Sequence, residues 1–136
     1  KDDLANFLSE IYVSSSNIKS FSKFKEKKIK EKCSRSSAII VICMQRDPNN
    51  SIPEWEEIAS TSMAVQNMWL TCTANNVGCY WSSPKSIEKI GDLINLKDGE
   101  RCLGFLYLGY YDKNEKVLSK RDSIEKRVDW INSIDR

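Results

Sequence analysis

The segment Trp81-Ser82-Ser83-Pro84 has the composition of a binding element. Serine before a proline is a helix-start signal, with Ser83 as N-cap and Pro84 at the first helical position. Such a start offers free backbone N–H groups and a partial positive charge. With the Ser82 and Ser83 hydroxyls beside it, it suits an anion or the polar edge of a ring. An ordinary capped helix uses the same residues, and Trp81 serves equally as core packing or as an aromatic wall. The pair Lys120-Arg121 suits a phosphate, although exposed basic pairs commonly bind nothing. Glu54, Glu56 and Glu57 have acid–base capacity, but their place behind Pro53 is explained by the positive end of a helix dipole.

Composition removes several chemistries. The 136 residues contain no histidine, which excludes Ser-His and Cys-His nucleophile pairs, imidazole metal ligands and imidazole acid–base catalysis. The five cysteines are odd in number and lack C-x-x-C spacing, which argues against a disulfide framework or a zinc site and for a reducing, cytoplasmic setting. Lys+Arg of 21 against Asp+Glu of 19 gives a net charge of +2, too balanced to imply nucleic acid. The run Lys23 to Lys32 alternates lysine with glutamate and reads as a solvated helix face held by i,i+4 pairs. No apolar run reaches membrane-spanning length, so neither a membrane nor nucleic acid is an expected partner.

Positioning these residues requires a set of elements. Leu4, Phe7, Leu8 and Ile11 recur at helical spacing, and Phe21 to Cys33 is a plausible second helix. Ser37 to Met44 is β-branched and continuously apolar, the pattern of a strand buried on both faces. A long helix is expected from about Glu54 to Ala74, with Ile58, Ser62, Val65, Trp69 and Cys72 in one stripe and Met63, Ala64, Met68 and Leu70 covering much of the rest. A helix so apolar in so short a chain suggests a second subunit. Asn75, Asn76 and Gly78 stop it. Gly78 to Ser82 is then a short strand, followed by a short helix from Pro84 to near Gly91. Arg101 to Tyr111 is a second buried strand, and Ser123 to Ile134 closes the chain as an amphipathic helix.

Taken in order, several segments resemble the flavin-dependent nitroreductase family. They are Ala64-Val65-Gln66-Asn67 within a buried helix, Gly78, Trp81-Ser82-Ser83, Gly99-Glu100, Leu103 to Gly109, and Lys120-Arg121 before the closing segment. The resemblance runs from Ser37 onward. It implies an α+β fold of three layers (α/β/α), with a mostly antiparallel central sheet flanked by helices. It implies FMN bound at a homodimer interface, reduction by NADH or NADPH, and electron transfer to nitroaromatics, quinones or similar small-molecule acceptors in a ping-pong cycle. Trp81, Ser82 and Ser83 would line the flavin, and Arg121, with Lys120 as the lesser candidate, would reach its phosphate. Neither a catalytic side chain nor a metal ligand is implied, because hydride transfer belongs to the flavin. Residues 1–136 then form a single domain, the C-terminal portion of the family domain, since the family's opening Arg-x-Ser-type phosphate motif is not found before Leu4. Different reductive chemistry, such as dehalogenation, and a non-catalytic flavin-carrying or dimerisation module are the alternatives.

Overall fold

The computed structural model describes residues 1–15, 22–84, 87–112 and 121–131. Helix α1 spans Asp2–Ser15, with Asp2 and Asp3 in its first turn. It buries Ala5, Leu8 and Ile11, so the helical spacing read from the sequence faces the core. Helix α2, Lys23–Arg35, lies alongside and buries Cys33. The Ser9 hydroxyl, buried between them, donates to Glu26 at 3.2 Å. Within α2, Lys27–Glu31 at 3.6 Å and Lys30–Glu26 at 3.5 Å are the expected i,i+4 pairs. Lys32 turns inward instead. Its ammonium sits 4.4 Å from the ring centre of Tyr80 and 4.3 Å from that of Tyr107, pinning α2 to the sheet by cation–π attraction.

The sheet comprises β1 (Ala38–Gln45), β2 (Gly78–Ser82) and β3 (Glu100–Gly109). Its order is β1-β3-β2, and both pairs are antiparallel. The central strand is therefore β3, where Cys102 and Gly104 to Tyr107 are all buried. Strand β1 was expected to be buried on both faces, but it lies at an edge of the described sheet and exposes Ala38, Ile40 and Cys43. Its β-branched run alone could not reveal that position, because strand order is a tertiary property.

Helices cover both faces, giving the expected three layers. On one side Ala5, Leu8 and Cys33 pack against Cys102, Phe105 and Tyr107. On the other, Val65 of helix α3 (Glu54–Ala74) packs with Ile42 and Leu106, joined by Met68, Trp69, Cys79, Trp81 and Leu103. The predicted stripe of α3 thus faces the sheet, while Met63, Ala64 and Leu70 are exposed. Cys102 and Phe105 share one side, although strict alternation would oppose them. The register shift between Ile42 and Cys43 explains this: Ile42 pairs with Gly104 and Cys43 with Cys102, leaving Leu103 as the extra residue of a bulge.

At the end of α3 the Val77 N–H donates to the Cys72 carbonyl at 2.8 Å, and Asn76 adopts a left-handed φ of 57°. Before α3, Arg46 pairs with Glu57, whose second oxygen accepts the Asp47 N–H at 2.7 Å. The helix expected from Pro84 falls partly on residues 85 and 86, which lie outside the described residues. The Pro84 carbonyl accepts from Ile87 N–H at 3.0 Å, and a 3-10 turn, Ile87–Ile90, leads into the short helix α4, Gly91–Ile94. The predicted closing helix, Ser123 to Ile134, falls partly on residues 132–134, outside the described residues; residues 121–131 hold a 3-10 turn at Ile124–Lys126 and no α-helix. Ile124, Trp130 and Ile131 are exposed there, and a short helix with no surface to pack against is marginal in water.

Candidate functional site

The sequence-predicted site centres on β2. Trp81 pairs in register with Leu106 and Ser82 with Phe105. Alternation along a strand sends those two side chains to opposite faces. Trp81 belongs to the core beneath α3, and its indole N–H donates to the Leu103 carbonyl at 3.3 Å. Ser82 is half-buried on the α1–α2 side, the face on which Tyr80 pairs with Tyr107. Ser83 follows the strand and is exposed. Trp81, Ser82 and Ser83 are thus brought together along an edge rather than on one wall. Among the described residues, the outer side of β2 has no strand beside it, so main-chain donors and acceptors there are open. Residues 85 and 86, which follow the helix-start signal at Ser83-Pro84, lie outside the described residues, and the 3-10 turn and the short α4 come after them.

Gly104 holds this arrangement in shape. Its φ is +147°, and a Cβ there would lie 2.7 Å from the Ser82 carbonyl oxygen and 2.9 Å from Trp81 Cδ1. The indole crosses β3 at the bulge because no side chain occupies that point. A glycine inside a strand is itself a signal for a bulge or a close backbone approach, and it was the available clue to this contact.

Arg121 is exposed, and no hydrogen bond among the described residues joins it to β2. Its neighbour Asp122 pairs with Lys126 at 3.6 Å. Lys120 lies outside the described residues. A groove of about 570 Å³ between α1 and α2, lined by Asp2, Lys23, Glu26, Lys27, Lys30 and Glu31, contains none of the predicted site residues.

Other polar groups cluster under the sheet. Burial pushes the Tyr107 hydroxyl above its ordinary range, with Cys33 beside it adding to the effect. Burial lowers Lys32, disfavouring its ammonium form, against which the two rings supply cation–π attraction. Cys79 and Cys72 are side-chain neighbours; burial, reinforced by Cys72, pushes the Cys79 thiol up to about 11. Burial likewise pushes Cys102, beside Cys43, up to about 11. Sequence spacing did not reveal either thiol pair. Among the described residues, no group of His, Cys, Asp and Glu is arranged to hold a metal ion, and no helix is long and apolar enough to cross a membrane.

The profile of the nitroreductase family matches residues 2–110, and the chain belongs to that family, one of oxidoreductases. The match reaches back to residue 2, so α1 and α2 lie within the family region, ahead of the Ser37 boundary read from the sequence. It ends before Arg121. The chain is 27% identical over 95 residues to YfhC of Bacillus subtilis (strain 168), a protein provisionally named an NAD(P)H nitroreductase; the alignment covers 68% of this chain and 48% of YfhC. The chain therefore spans about half the length of that curated relative. Among solved structures, a nitroreductase-like family protein from Bacillus cereus superposes with a TM-score of 0.65 at 24% identity, covering 98% of this chain and 86% of the other. Oxidised iodotyrosine deiodinase bound to FMN and 3-iodo-L-tyrosine superposes with a TM-score of 0.66 at 13% identity, covering 98% and 73%. At these identities the likeness is one of fold.

Proposed function

We propose that this chain is a nitroreductase-like domain of an FMN-dependent NAD(P)H oxidoreductase. The observation that carries the reading is the family match across residues 2–110, which contains β2 and its open edge. The edge suits the polar rim of a flavin ring, with alternating N–H and C=O groups and the Ser82 and Ser83 hydroxyls at one end. When bound, FMN supplies the redox chemistry: reduction by NADH or NADPH, then delivery of electrons to a nitroaromatic, quinone or similar acceptor in a ping-pong cycle.

The chain's own residues have positioning roles. Trp81, tied to Leu103, fixes the line of β2. Main-chain groups of residues 81–83 orient the ring, and Arg121, with Lys120 beside it, neutralises the phosphate. A second copy of the chain completes the site. Trp55, Met63 and Leu70 on α3 are 68%, 63% and 58% exposed, at spacings that place them on one helix face. Residues 1–136 contribute to one such domain, and the alignment covers 48% of YfhC. The fold shared with a deiodinase keeps halogenated aromatics among the acceptors to be screened.

The test is an absorbance spectrum of the purified protein across the flavin bands, with mass analysis of released ligand and NADH consumption in the presence of a nitroaromatic. Bound FMN and acceptor-dependent NADH oxidation support the reading. A protein that is colourless and takes up no added FMN overturns it.

A further inference from the structure

We propose that Lys32 is a positioning residue for the β2 edge, clamping that strand from the face opposite Trp81. Lys32 lies in the last turn of α2, and its ammonium sits 4.4 Å from the ring centre of Tyr80 and 4.3 Å from that of Tyr107. The two tyrosines are register partners across β2 and β3, with ring centres 6.4 Å apart and planes inclined at 30°. Tyr107 is 7% exposed and belongs to the core, whereas Tyr80 is 54% exposed on the edge strand. One cation therefore bridges a fixed ring and an edge ring. Lys27 and Lys30 of the same helix pair with glutamates, but among the described residues no carboxylate pairs with Lys32. The two rings are its charge partners.

Strand β2 is five residues long and pairs, among the described residues, with β3 alone, so its line depends on what its side chains hold. Consecutive strand residues face opposite ways. On the α3 side Trp81 is tied to the β3 bulge, through its N–H to the Leu103 carbonyl at 3.3 Å. On the other side Tyr80 is tied to α2 through Lys32. The two ties fall immediately before Ser82, where residues 81–83 present their main-chain groups. Loss of the Lys32 tie leaves the Tyr80 ring free to turn outward and lets β2 fray from its Ser82 end. The consequence for ligand binding rests on the flavin reading; the clamp itself does not.

Amide hydrogen exchange of the full chain, read on peptides that contain residues 78–82, tests the clamp, and FMN titration tests its effect on the site. Lys32→Met keeps most of the stem and removes the charge. It should speed exchange in those peptides and weaken FMN binding, each by about two- to thirtyfold, the range over which cation–π attraction acts. Lys32→Arg keeps a cation that stacks on aromatic rings and should restore both. Tyr80→Leu, at an exposed position, should reproduce the Lys32→Met effect, and the two changes together should cost little more than either alone. Faster exchange confined to α2, failure of Lys32→Arg to restore it, or effects that simply add overturns the proposal. Faster exchange with unchanged FMN affinity overturns the link to the site. A parent chain that takes up no FMN overturns the flavin reading, and the exchange data then uphold or overturn the clamp by themselves.

Discussion

The indole N–H of Trp81 donates to the carbonyl of Leu103, the extra residue of the β3 bulge, at 3.3 Å. One irregularity in the central strand therefore turns a carbonyl toward the neighbouring strand's only tryptophan. Gly104 beside it leaves room for the ring, and the line of β2 depends on both.

Gly104→Ala should lower stability by about 2–4 kcal/mol. Backbone strain at a φ of +147° and the Cβ encounter with Trp81 and the Ser82 carbonyl both contribute. Urea unfolding followed by tryptophan fluorescence measures the loss, and the native-state emission should shift as the indole is displaced. A variant as stable as the parent would mean that the bulge relaxes freely.

Trp81→Phe keeps an aromatic ring against Val65 and Leu106 but removes the donor to Leu103. The expected cost is about 1 kcal/mol, the net value of one hydrogen bond. Chemical denaturation resolves a change of that size, and no change would show that the bond adds nothing beyond packing.

Arg121→Ala should weaken FMN binding by about 1.5–3 kcal/mol, roughly tenfold to a hundredfold, through loss of a charge-assisted partner of the phosphate. Fluorescence titration of flavin reads this directly. Unchanged affinity would remove Arg121 from the site and leave Lys120 to be examined in the same way.

Stability should fall in alkaline solution. Cys79 and Cys102, ordinarily at 9.0, are each pushed up to about 11 in the folded chain, and Tyr107 is raised above its ordinary 10.0. Between those limits the unfolded chain releases protons that the folded chain retains. Their contribution is complete below pH 9.0 and is lost as the pH rises through about 11. Lys32, lowered by burial, acts in the opposite sense, but it stands against five raised acids, Cys33 and Cys43 among them. Thermal melts across that window should decline with pH, and a flat profile would contradict the burial assigned to these groups.

Elements whose local pattern and packing agree were readable from sequence. Helix α3 runs between the bounds that Pro53 and Asn75 imply, and β2 occupies Gly78–Ser82 as expected. The family likeness rested on the same segments. Features decided by the third dimension were not readable. The Ile39-to-Ile42 run suits a central strand as well as an edge. The bulge places Cys102 and Phe105 on one side and Leu103 and Leu106 on the other, a three-residue spacing foreign to a strand. Ser83-Pro84 carries a helix-start signal, but a 3-10 turn forms downstream. The apolar spacing of Ile124, Val128 and Ile131 describes a helix only where something covers it. The sequence signals both main-chain and hydroxyl donors at residues 81–83, but it does not show that β2 lies at an edge of the described sheet.

Strand β1 reads Ala-Ile-Ile-Val-Ile-Cys-Met-Gln, without a charge, a proline or a glycine, and no strand lies along its outer side among the described residues. Natural edges are commonly blunted by lysine, proline or a covering loop, and this run carries none of the first two. Concentrated solutions of the isolated chain are therefore exposed to strand-to-strand association through β1, and colloidal behaviour will depend on what shields that edge.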